Sequence, residues 1–240
     1  MSFSQLEQDK WVCETLNYKK NGYFVDIGCH DGIYLNNSYL LETKYSFDGL
    51  CIDGNSEIIN TTKNNRNCKV LNEIVFDKQK DVFFCILKKK KHSGMFSKII
   101  DFNEYKNLLS SSQKDIFLIK KKTKTLIEIL NEQKSPKIID YLSIDCEGSE
   151  FDILKNFPFS EYHFNCITIN HNEPHVGSLY KNNIYKLLTS NNYVFVKGND
   201  DIQNWGHGPI EDFYVHKNLL NIPSINEIKT PSFVKPQSSN

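Results

Sequence analysis

Short apolar runs alternate with amphipathic segments along most of the chain. The apolar runs are rich in Ile, Val, Leu, Phe and Tyr, a composition typical of buried strands. The intervening segments place apolar residues at the spacing of a helix face. Strands are predicted at about 23–27, 49–53, 69–75, 82–87, 137–144, 164–169, 193–197 and 213–216. Helices are predicted at about 4–16, 38–42, 56–64, 125–132, 149–156 and 179–189, with Ser4–Glu7 and Thr125–Glu128 as capping boxes and Ser149 as a cap.

The order of these elements predicts the fold class. Strands and helices alternate, and this order favours parallel strands joined by helical crossovers. The last two strands are joined without a long helical pattern, so they are expected to form an antiparallel hairpin. We therefore predict an α/β fold: a doubly wound, Rossmann-like sheet with an antiparallel hairpin at one edge. Residues 1–220 are predicted to be one domain with an insertion of loop and short helix at about 88–115, and 221–240 a peripheral or disordered tail.

Composition and charge exclude several classes of protein. The 240 residues are 39% hydrophobic, enough for one large domain with a sizeable core. Twenty-nine basic residues balance twenty-nine acidic ones, so no overall positive field favours a nucleic-acid partner. The seven cysteines form no C-x-x-C pair, which disfavours a disulfide framework or a structural zinc site. The polar N-terminus and the lack of a long apolar stretch lead us to expect a cytoplasmic protein without a membrane span.

The end of the first predicted strand carries the first candidate chemistry. Asp26, Gly28, His30, Asp31 and Gly32 follow one another there, and glycines allow close approach of a ligand to the backbone. The spacing is not G-x-G-x-x-G, and carboxylates beside the turn would repel a pyrophosphate. The charge pattern instead suits a cation, such as a sulfonium-bearing amino acid with a free ammonium group.

The ends of the next two strands complete a nucleoside-binding pattern. Asp53 and Asn55 lie about 20 residues beyond the glycine turn, where an acid hydrogen-bonds both ribose hydroxyls. Asn72 and Glu73 end the third strand and are candidates for the adenine side, or for a solvent-exposed loop. A predicted nucleoside site beside a predicted cation site indicates S-adenosylmethionine as the ligand. The alternative is that the strand-end aspartates only cap helices.

A pair of acids ends the strand at 137–144. Asp145 and Glu147 suit general-base or metal chemistry. The alternative is that they stabilise the N-terminus of the following helix. Asn170 and His171 end the next strand, so Asp145 with either of them is a candidate Mg²⁺ or Mn²⁺ site.

Together these motifs resemble the FkbM-type S-adenosylmethionine-dependent methyltransferases. The resemblance covers about residues 4–217 and is carried by Ser4-Gln5-x-x-x-Asp9, Gly22–Gly28, Leu50–Asp53, Ile139–Glu150, Ile169–Asn172 and Asp212–Lys217. It implies a seven-stranded class I methyltransferase fold and O-methylation of sugars or natural-product hydroxyls. It also adds Gln5 and Asp9 to the expected cofactor contacts. Asn170 departs from the family, since many members carry Glu at that position.

The predicted function is methyl transfer to a hydroxyl of a sugar, glycan or related small molecule. An alcohol needs a base as the new bond forms. Asp145 is predicted to orient the acceptor or a metal and His171 to accept the proton, with Glu147 as the competing base; a hydrogen-bonded loop histidine is the alternative at His171. The insertion at 88–115 and Trp205 are candidate acceptor contacts. Two alternatives stay open: a non-catalytic binding module with this fold, or a methyltransferase with a non-sugar acceptor.

Overall fold

The structure is a computed structural model, and it has one large and one small β-sheet. It describes residues 2–87, 97–101, 103, 106–107, 116–173, 177–199 and 210–220. In chain order, the elements within these residues are α1 (Gln8–Thr15), β1 (Tyr23–Ile27), α2 (Tyr39–Tyr45), β2 (Asp48–Ile52), α3 (Ile59–Asn65), β3 (Lys69–Leu71), β4 (Ile74–Val75), β5 (Asp81–Leu87), β6 (Lys98–Ile100), β7 (Ile116–Lys124), α4 (Leu126–Glu132), β8 (Ile138–Ile144), α5 (Glu150–Leu154), β9 (His163–Asn170), α6 (Ser178–Ser190), β10 (Tyr193–Gly198), β11 (Glu211–His216) and α7 (Lys217–Leu220).

The large sheet has seven strands in the order β10-β11-β9-β8-β1-β2-β3. The pairs β3–β2, β2–β1, β1–β8 and β8–β9 are parallel, whereas β11 runs antiparallel to both β9 and β10. This confirms the predicted doubly wound α/β fold with an antiparallel hairpin at its edge. The carboxyl ends of the parallel strands therefore share one edge of the sheet, where ligands bind in folds of this kind.

Apolar clusters cover both faces of the large sheet, as parallel strands require. Side chains alternate along each strand, so Val25 and Ile27 pack toward one cluster and Phe24 toward the other. The helices α4, α5 and α6 cover the first face, and α1, α2 and α7 cover the second. Cys51 and Cys166 are fully buried in the second cluster with free thiols. They act there as small hydrophobic residues.

The small sheet was not predicted. It has the order β4-β7-β5-β6, and the single strand predicted at 69–75 is divided between the two sheets. Val82, Phe84 and Ile86 alternate along β5 and pack with Ile74 in a separate apolar cluster. The prediction of only loop and short helix in the insertion was therefore wrong at β6. Most of the predicted insertion, the loop residues 200–209 with Trp205 and the tail at 221–240 lie outside the described residues.

The helix caps follow the predictions only in part. At α4, Thr125 Oγ1 accepts the backbone N–H of Glu128 at 3.3 Å, and Glu128 accepts the backbone N–H of Thr125 at 2.8 Å, so this capping box is confirmed. The capping box predicted at Ser4 is wrong, because α1 begins at Gln8 and Ser4 Oγ instead donates to Asp9 at 2.8 Å. Long-range packing of the N-terminal segment decides its path.

A buried guanidinium fixes the loop that follows β1. Arg66, the sole arginine of the chain, is 5% exposed and donates through Nε to Glu42 at 2.7 Å. Its Nη1 donates to the carbonyl of Gly32 and to Asn36 Oδ1, and its Nη2 donates to Ser38 Oγ. The planar fork of an arginine makes all these bonds at once, which a lysine ammonium does not match.

Removal of this guanidinium is expected to destabilise the fold. Arg66→Met leaves the buried Glu42 carboxylate without its cation, so we expect a loss of about 3–5 kcal/mol in the free energy of unfolding. Urea denaturation followed by circular dichroism measures this loss. Lys63→Met, at an exposed position on α3, is the control and is expected to stay within about 0.5 kcal/mol of wild type. Equal unfolding midpoints for Arg66→Met and Lys63→Met would contradict the assigned role.

Candidate active site

A cleft opens at the carboxyl ends of β1, β2 and β8. It encloses about 530 Å³, including the space at its mouth that is open to solvent. Its walls come from the large sheet on one side and from the small sheet on the other. The predicted site residues that line it are Gly28, His30, Asp53, Glu73 and Asp145. The sheet topology therefore brings together residues from four separate strand ends.

The glycine turn depends on a close backbone contact between β1 and β8. Gly28 has a φ of +87°, and a Cβ added there would lie 1.9 Å from the carbonyl oxygen of Asp145. The Asp145 N–H in turn donates to the carbonyl of Ile27 at 2.9 Å. A side chain at position 28 would separate the two strand ends. Glycine is thus required both for the backbone angle and for the space.

Asp53 connects the glycine turn to the end of β2. Its carboxylate accepts the backbone N–H of His30 at 3.0 Å and that of Asn55 at 2.8 Å. Burial raises the pKa of Asp53 to about 6, against these two hydrogen bonds and the nearby His30. Asn55 is fully buried, and its Oδ1 accepts the N–H of Glu57 rather than lining the cleft. Asp53 therefore holds the backbone on both sides of the cleft edge, and its contact with a nucleoside stays a prediction.

Two other predicted acids hold the loop after β1 rather than line the cleft. Asp26 is 2% exposed and accepts hydrogen bonds from Asn36 Nδ2 at 2.9 Å and Ser38 Oγ at 2.7 Å. Burial raises its pKa. Asp31 accepts the backbone N–H groups of the two residues that follow Gly32 in a tight turn. Both acids fix the conformation of the loop between β1 and α2.

The N-terminal candidates lie apart from the cleft lining. Asp9 is fully buried and accepts hydrogen bonds from the backbone of Phe3 and from Ser4 Oγ. Gln5 is partly exposed, and the neighbouring Ser4 forms an isolated β-bridge with Leu35. The N-terminal segment thus packs against the loop after β1. Contact of Gln5 or Asp9 with a cofactor stays a prediction.

Glu147 combines a strained backbone with a titratable side chain. It has a φ of +54°, and its Oε2 accepts a hydrogen bond from Asn172 Nδ2 at 3.2 Å. Burial and the nearby Glu150 carboxylate raise the pKa of Glu147 to about 7, while Lys98 of β6 opposes the shift. Glu150 itself accepts the N–H groups of Cys146 and Gly148, and no hydrogen bond from the predicted Ser149 cap is present.

Asp145 lies in an acidic environment. Burial raises its pKa well above the usual value, and the carboxylates of Glu147 and Glu150 add to the shift. A hydrogen bond from the Asn170 side chain stabilises its charged form. A carboxyl group with a pKa perturbed by burial and by named charges, in a cleft, is typical of functional sites.

Sequence analysis missed Glu211, a buried acid in the same region. Because β11 is antiparallel, its first residue lies at the carboxyl edge of the sheet, where Glu211 pairs with Asn170. Burial and the charge of Asp145 raise the pKa of Glu211 well above its usual value, and Thr168 and Gln8 hydrogen-bond to its side chain. The predicted antiparallel hairpin could have revealed Glu211. Because the last strand is reversed, its first residue lies beside the carboxyl ends of the parallel strands.

His171 does not line the cleft. Its ring is fully buried, Nδ1 accepts the backbone N–H of Glu173 at 3.2 Å, and Nε2 lies 3.4 Å from Asp212 Oδ1. Its backbone N–H donates to the carbonyl of Ile210 at 2.8 Å. This geometry agrees with the alternative of a hydrogen-bonded loop histidine. The backbone N–H of His171 thus fastens the loop after β9, which also carries Asn172, to the residue before β11.

The suggested Mg²⁺ or Mn²⁺ site is not supported. Within the part of the chain that the structure describes, no group of three or more His, Cys, Asp or Glu side chains is arranged to hold a metal ion. Asn170 donates to Asp145, whereas the Nε2 atom of His171 faces Asp212. We therefore derive no step that uses a metal.

The fold and the cleft define a class I methyltransferase architecture. A family model described as "Methyltransferase FkbM domain" matches residues 26–195, more than half of the chain. The chain therefore belongs to the FkbM methyltransferase family, as the sequence motifs predicted. A search of curated proteins gave no match. Across the described residues, no helix has both the length and the apolar character needed to cross a membrane.

Solved structures of similar architecture are distant in sequence. Precorrin-6y C5,15-methyltransferase from Geobacter metallireducens is 11% identical, with 87% of each chain covered and a TM-score of 0.45. A TehB-like SAM-dependent methyltransferase from Corynebacterium glutamicum is 9% identical, with 89% of each chain covered and a TM-score of 0.43. The family assignment rests on the family model alone.

Two glycines with similar backbone angles allow the close contact at the cleft to be tested. Gly177→Ala, at a φ of +86° with nothing within 4 Å of the added Cβ, is expected to cost about 1 kcal/mol in the free energy of unfolding. Gly28→Ala has a similar positive φ and also the clash with Asp145, so we expect a loss of at least about 3 kcal/mol. Urea denaturation measures the free energy of unfolding of both variants. Equal losses would contradict the requirement for close contact between Gly28 and Asp145.

Proposed function

We propose that the protein is an S-adenosylmethionine-dependent O-methyltransferase that acts in the cytoplasm on a hydroxyl of a sugar, glycan or related small molecule. The observation that carries the proposal is one cleft with two functional parts. Asp53 beside the Gly28 turn provides a place for a nucleoside, and the acids at the end of β8 lie next to it. Membership of the FkbM family supports methyl transfer.

The nucleoside part is supported by the geometry of Asp53. Above a pH of about 6 its carboxylate is ionised, and it then accepts hydrogen bonds from vicinal ribose hydroxyls. Gly28 lines the cleft, so its backbone is accessible to the amino-acid part of the ligand. The carboxylate of Asp53 also provides a negative charge in the cleft that attracts a sulfonium and an ammonium group. S-adenosylmethionine carries all these groups and, when bound, supplies an electrophilic methyl group.

The acceptor part is supported by three polar side chains on neighbouring strands. Asp145, Asn170 and Glu211 end β8, end β9 and begin β11, respectively. Two of the three are acids, so they favour an acceptor that donates hydrogen bonds. They disfavour a phosphate or carboxylate, because a further acidic group in this buried cluster makes ionisation of every member more costly. A polyhydroxylated acceptor such as a sugar meets this requirement.

Glu147 is proposed as the proton acceptor and Asp145 as the group that orients the acceptor hydroxyl. The hydroxyl oxygen forms a bond to the methyl carbon as the carbon–sulfur bond breaks, and the hydroxyl proton moves to Glu147. A base with a pKa of about 7 is well suited to this step at neutral pH. His171 is then a positioning residue, because its loop carries the Asn172 amide that holds Glu147.

Substitutions of two strand-end aspartates are expected to separate binding from catalysis. Asp53→Ala should weaken the affinity for S-adenosylhomocysteine at least tenfold, since the hydroxyl acceptor is lost. Asp145→Asn should preserve that affinity and lower kcat by about 10²-fold, because the acceptor hydroxyl is no longer correctly oriented. Calorimetric titration and a radiolabelled methyl-transfer assay on free sugars, nucleotide sugars and non-sugar alcohols measure the two effects. Asp81→Asn, at a side chain that is 60% exposed, is the control.

Three outcomes of this experiment would contradict the proposal. If folded wild type binds neither S-adenosylmethionine nor S-adenosylhomocysteine, the cofactor assignment is wrong. If it binds both but transfers no methyl group to any acceptor, the protein is a binding module. If only non-sugar alcohols react, the acceptor class is wrong. Turnover of Asp145→Asn within threefold of wild type would remove Asp145 from the mechanism.

The pH dependence provides a separate check on Glu147. Because the base must be ionised, kcat/KM should rise as the pH rises through about 7. Lys98 holds the pKa of Glu147 down, so Lys98→Gln should move this rise to higher pH. Lys120→Gln, at a side chain that is 64% exposed on the same small sheet, should leave the profile unchanged. A profile for Lys98→Gln that superimposes on the wild-type profile would rule out Glu147 as the base.

A further inference from the structure

The first helix and the last strand of the large sheet meet beside the acids at the cleft edge. Both α1 and β11 lie outside residues 26–195, the part of the chain that the family model matches. The ring of Trp11 in α1 contacts that of Phe213 in β11 edge to face, with centroids 5.0 Å apart. Gln8, which begins α1 and is 3% exposed, hydrogen-bonds to the side chain of Glu211, which begins β11. Two segments outside the matched region thus contact each other next to the proposed acceptor site.

The amide group of Gln8 is oriented by its own segment. Its Oε1 accepts the backbone N–H of Leu6 at 2.7 Å. Because the amide oxygen is occupied in this way, the amide nitrogen is the atom that bonds to Glu211. An amide nitrogen only donates hydrogen bonds. The N-terminal segment therefore presents a fixed donor to the carboxyl group of Glu211.

A second donor reaches Glu211 from the face of the large sheet. Asn170 pairs with Glu211 and Thr168 with Phe213, so Thr168 and Glu211 are diagonal neighbours on one face of β9 and β11. The Thr168 hydroxyl hydrogen-bonds to the Glu211 side chain and lies 2.7 Å from the Tyr141 hydroxyl. Thr168 and Tyr141 are both fully buried. Because Tyr141 donates to Thr168 in this arrangement, the Thr168 proton is directed to Glu211.

The backbone of Glu211 is held as well. Its N–H donates to Asn199 Oδ1 at 2.8 Å, and its carbonyl accepts the backbone N–H of Asn199 at 3.1 Å. The start of β11 is therefore fixed, and the Glu211 carboxyl group has a defined direction. A carboxylate has about four acceptor positions, so one that is held by two donors keeps capacity for a further hydroxyl group.

We propose that Gln8 and Thr168 are positioning residues that hold the Glu211 carboxylate toward a second hydroxyl of the acceptor. Asn170 pairs with Glu211, and its side chain hydrogen-bonds to Asp145, so one amide group lies between the two acids. The acids then bind different hydroxyls: Asp145 orients the one that is methylated, and Glu211 binds another. This inference rests on the proposed function and extends it, because the acceptor must carry at least two hydroxyl groups and the N-terminal segment helps to select it.

The ionisation of Glu211 depends on its two donors. Burial and the charges of Asp145 and Asp212 raise the pKa of Glu211, whereas the two donors lower it. The Tyr141 hydroxyl also interacts with the charge of Glu211, and burial raises the pKa of Tyr141 well above its usual value, so this hydroxyl stays neutral. Loss of a donor should therefore raise the pKa of Glu211 further and weaken acceptor binding at neutral pH.

Infrared spectroscopy tests the Thr168 donor without any acceptor. A protonated carboxyl group loses its carbonyl stretch on ionisation, and the part of this signal that is absent in Glu211→Gln gives the titration midpoint of Glu211. Thr168→Val should move the midpoint to higher pH by about 0.5 to 1 pH unit, the equivalent of one hydrogen bond. Thr168→Ser keeps the hydroxyl and should restore the wild-type midpoint. Thr43→Val, at an exposed position on α2, is the control.

Steady-state kinetics test the contribution of the N-terminal segment. With the most reactive sugar in the methyl-transfer assay, Gln8→Met should raise the acceptor KM by about 3- to 10-fold, the range for loss of one hydrogen bond. Its kcat and its affinity for S-adenosylhomocysteine should stay within twofold of wild type. One deoxy analogue of the same sugar should have a raised KM with wild type and the same KM with Gln8→Met. Gln79→Met, at an exposed position, is the control.

The outcomes distinguish this inference from the function on which it rests. An unmoved infrared midpoint in Thr168→Val, shown by circular dichroism to be folded, would overturn the role of Thr168. A folded Gln8→Met with unchanged acceptor KM would overturn the role of the N-terminal segment. Alcohols with a single hydroxyl that react with the KM of the best sugar would overturn the second hydroxyl and leave methyl transfer intact. No cofactor binding and no methyl transfer by folded wild type would overturn the proposed function itself.

Discussion

The arrangement of the cleft depends on one buried cation. Arg66 donates to Glu42, Gly32, Asn36 and Ser38, and its guanidinium lies over the ring of Phe24 at 5.3 Å. Its positive charge also opposes the effect of burial on the nearby Asp26, whose carboxylate holds the same loop. Because these partners lie on separate segments, the Arg66 side chain fixes the path of the loop that follows β1. The position of the glycine turn in the cleft follows from this network.

The carboxyl edge of the large sheet concentrates acidic side chains where water is scarce. Burial raises the pKa of Asp53, Asp145, Glu147 and Glu211, so each resists ionisation in the folded chain. Such a cluster costs stability and is expected only where chemistry requires it. A bound cationic methyl donor would offset part of the electrostatic repulsion among these carboxyl groups when they ionise.

The two sheets contribute different kinds of groups to the cleft. The large sheet presents carboxylates and the glycine turn from the ends of parallel strands, as its topology dictates. The small sheet lies across the same opening and contributes Phe84 and Ile99 to the lining. Lys98, between two lining residues on the chain, opposes the rise in the pKa of Glu147. One short strand therefore borders the cleft and acts electrostatically on the acids at the end of β8.

The sequence by itself determined the order of strands and helices, the reversed last strand, the glycine turn and the acids at positions 53 and 145. Local patterns report these features because alternation and strand ends are properties of neighbouring residues. Only the tertiary structure divided the strand at 69–75 between two sheets, buried His171 against Asp212 and brought Glu211 to the site. Strand pairing and side-chain direction depend on partners distant in the chain, which no local pattern records.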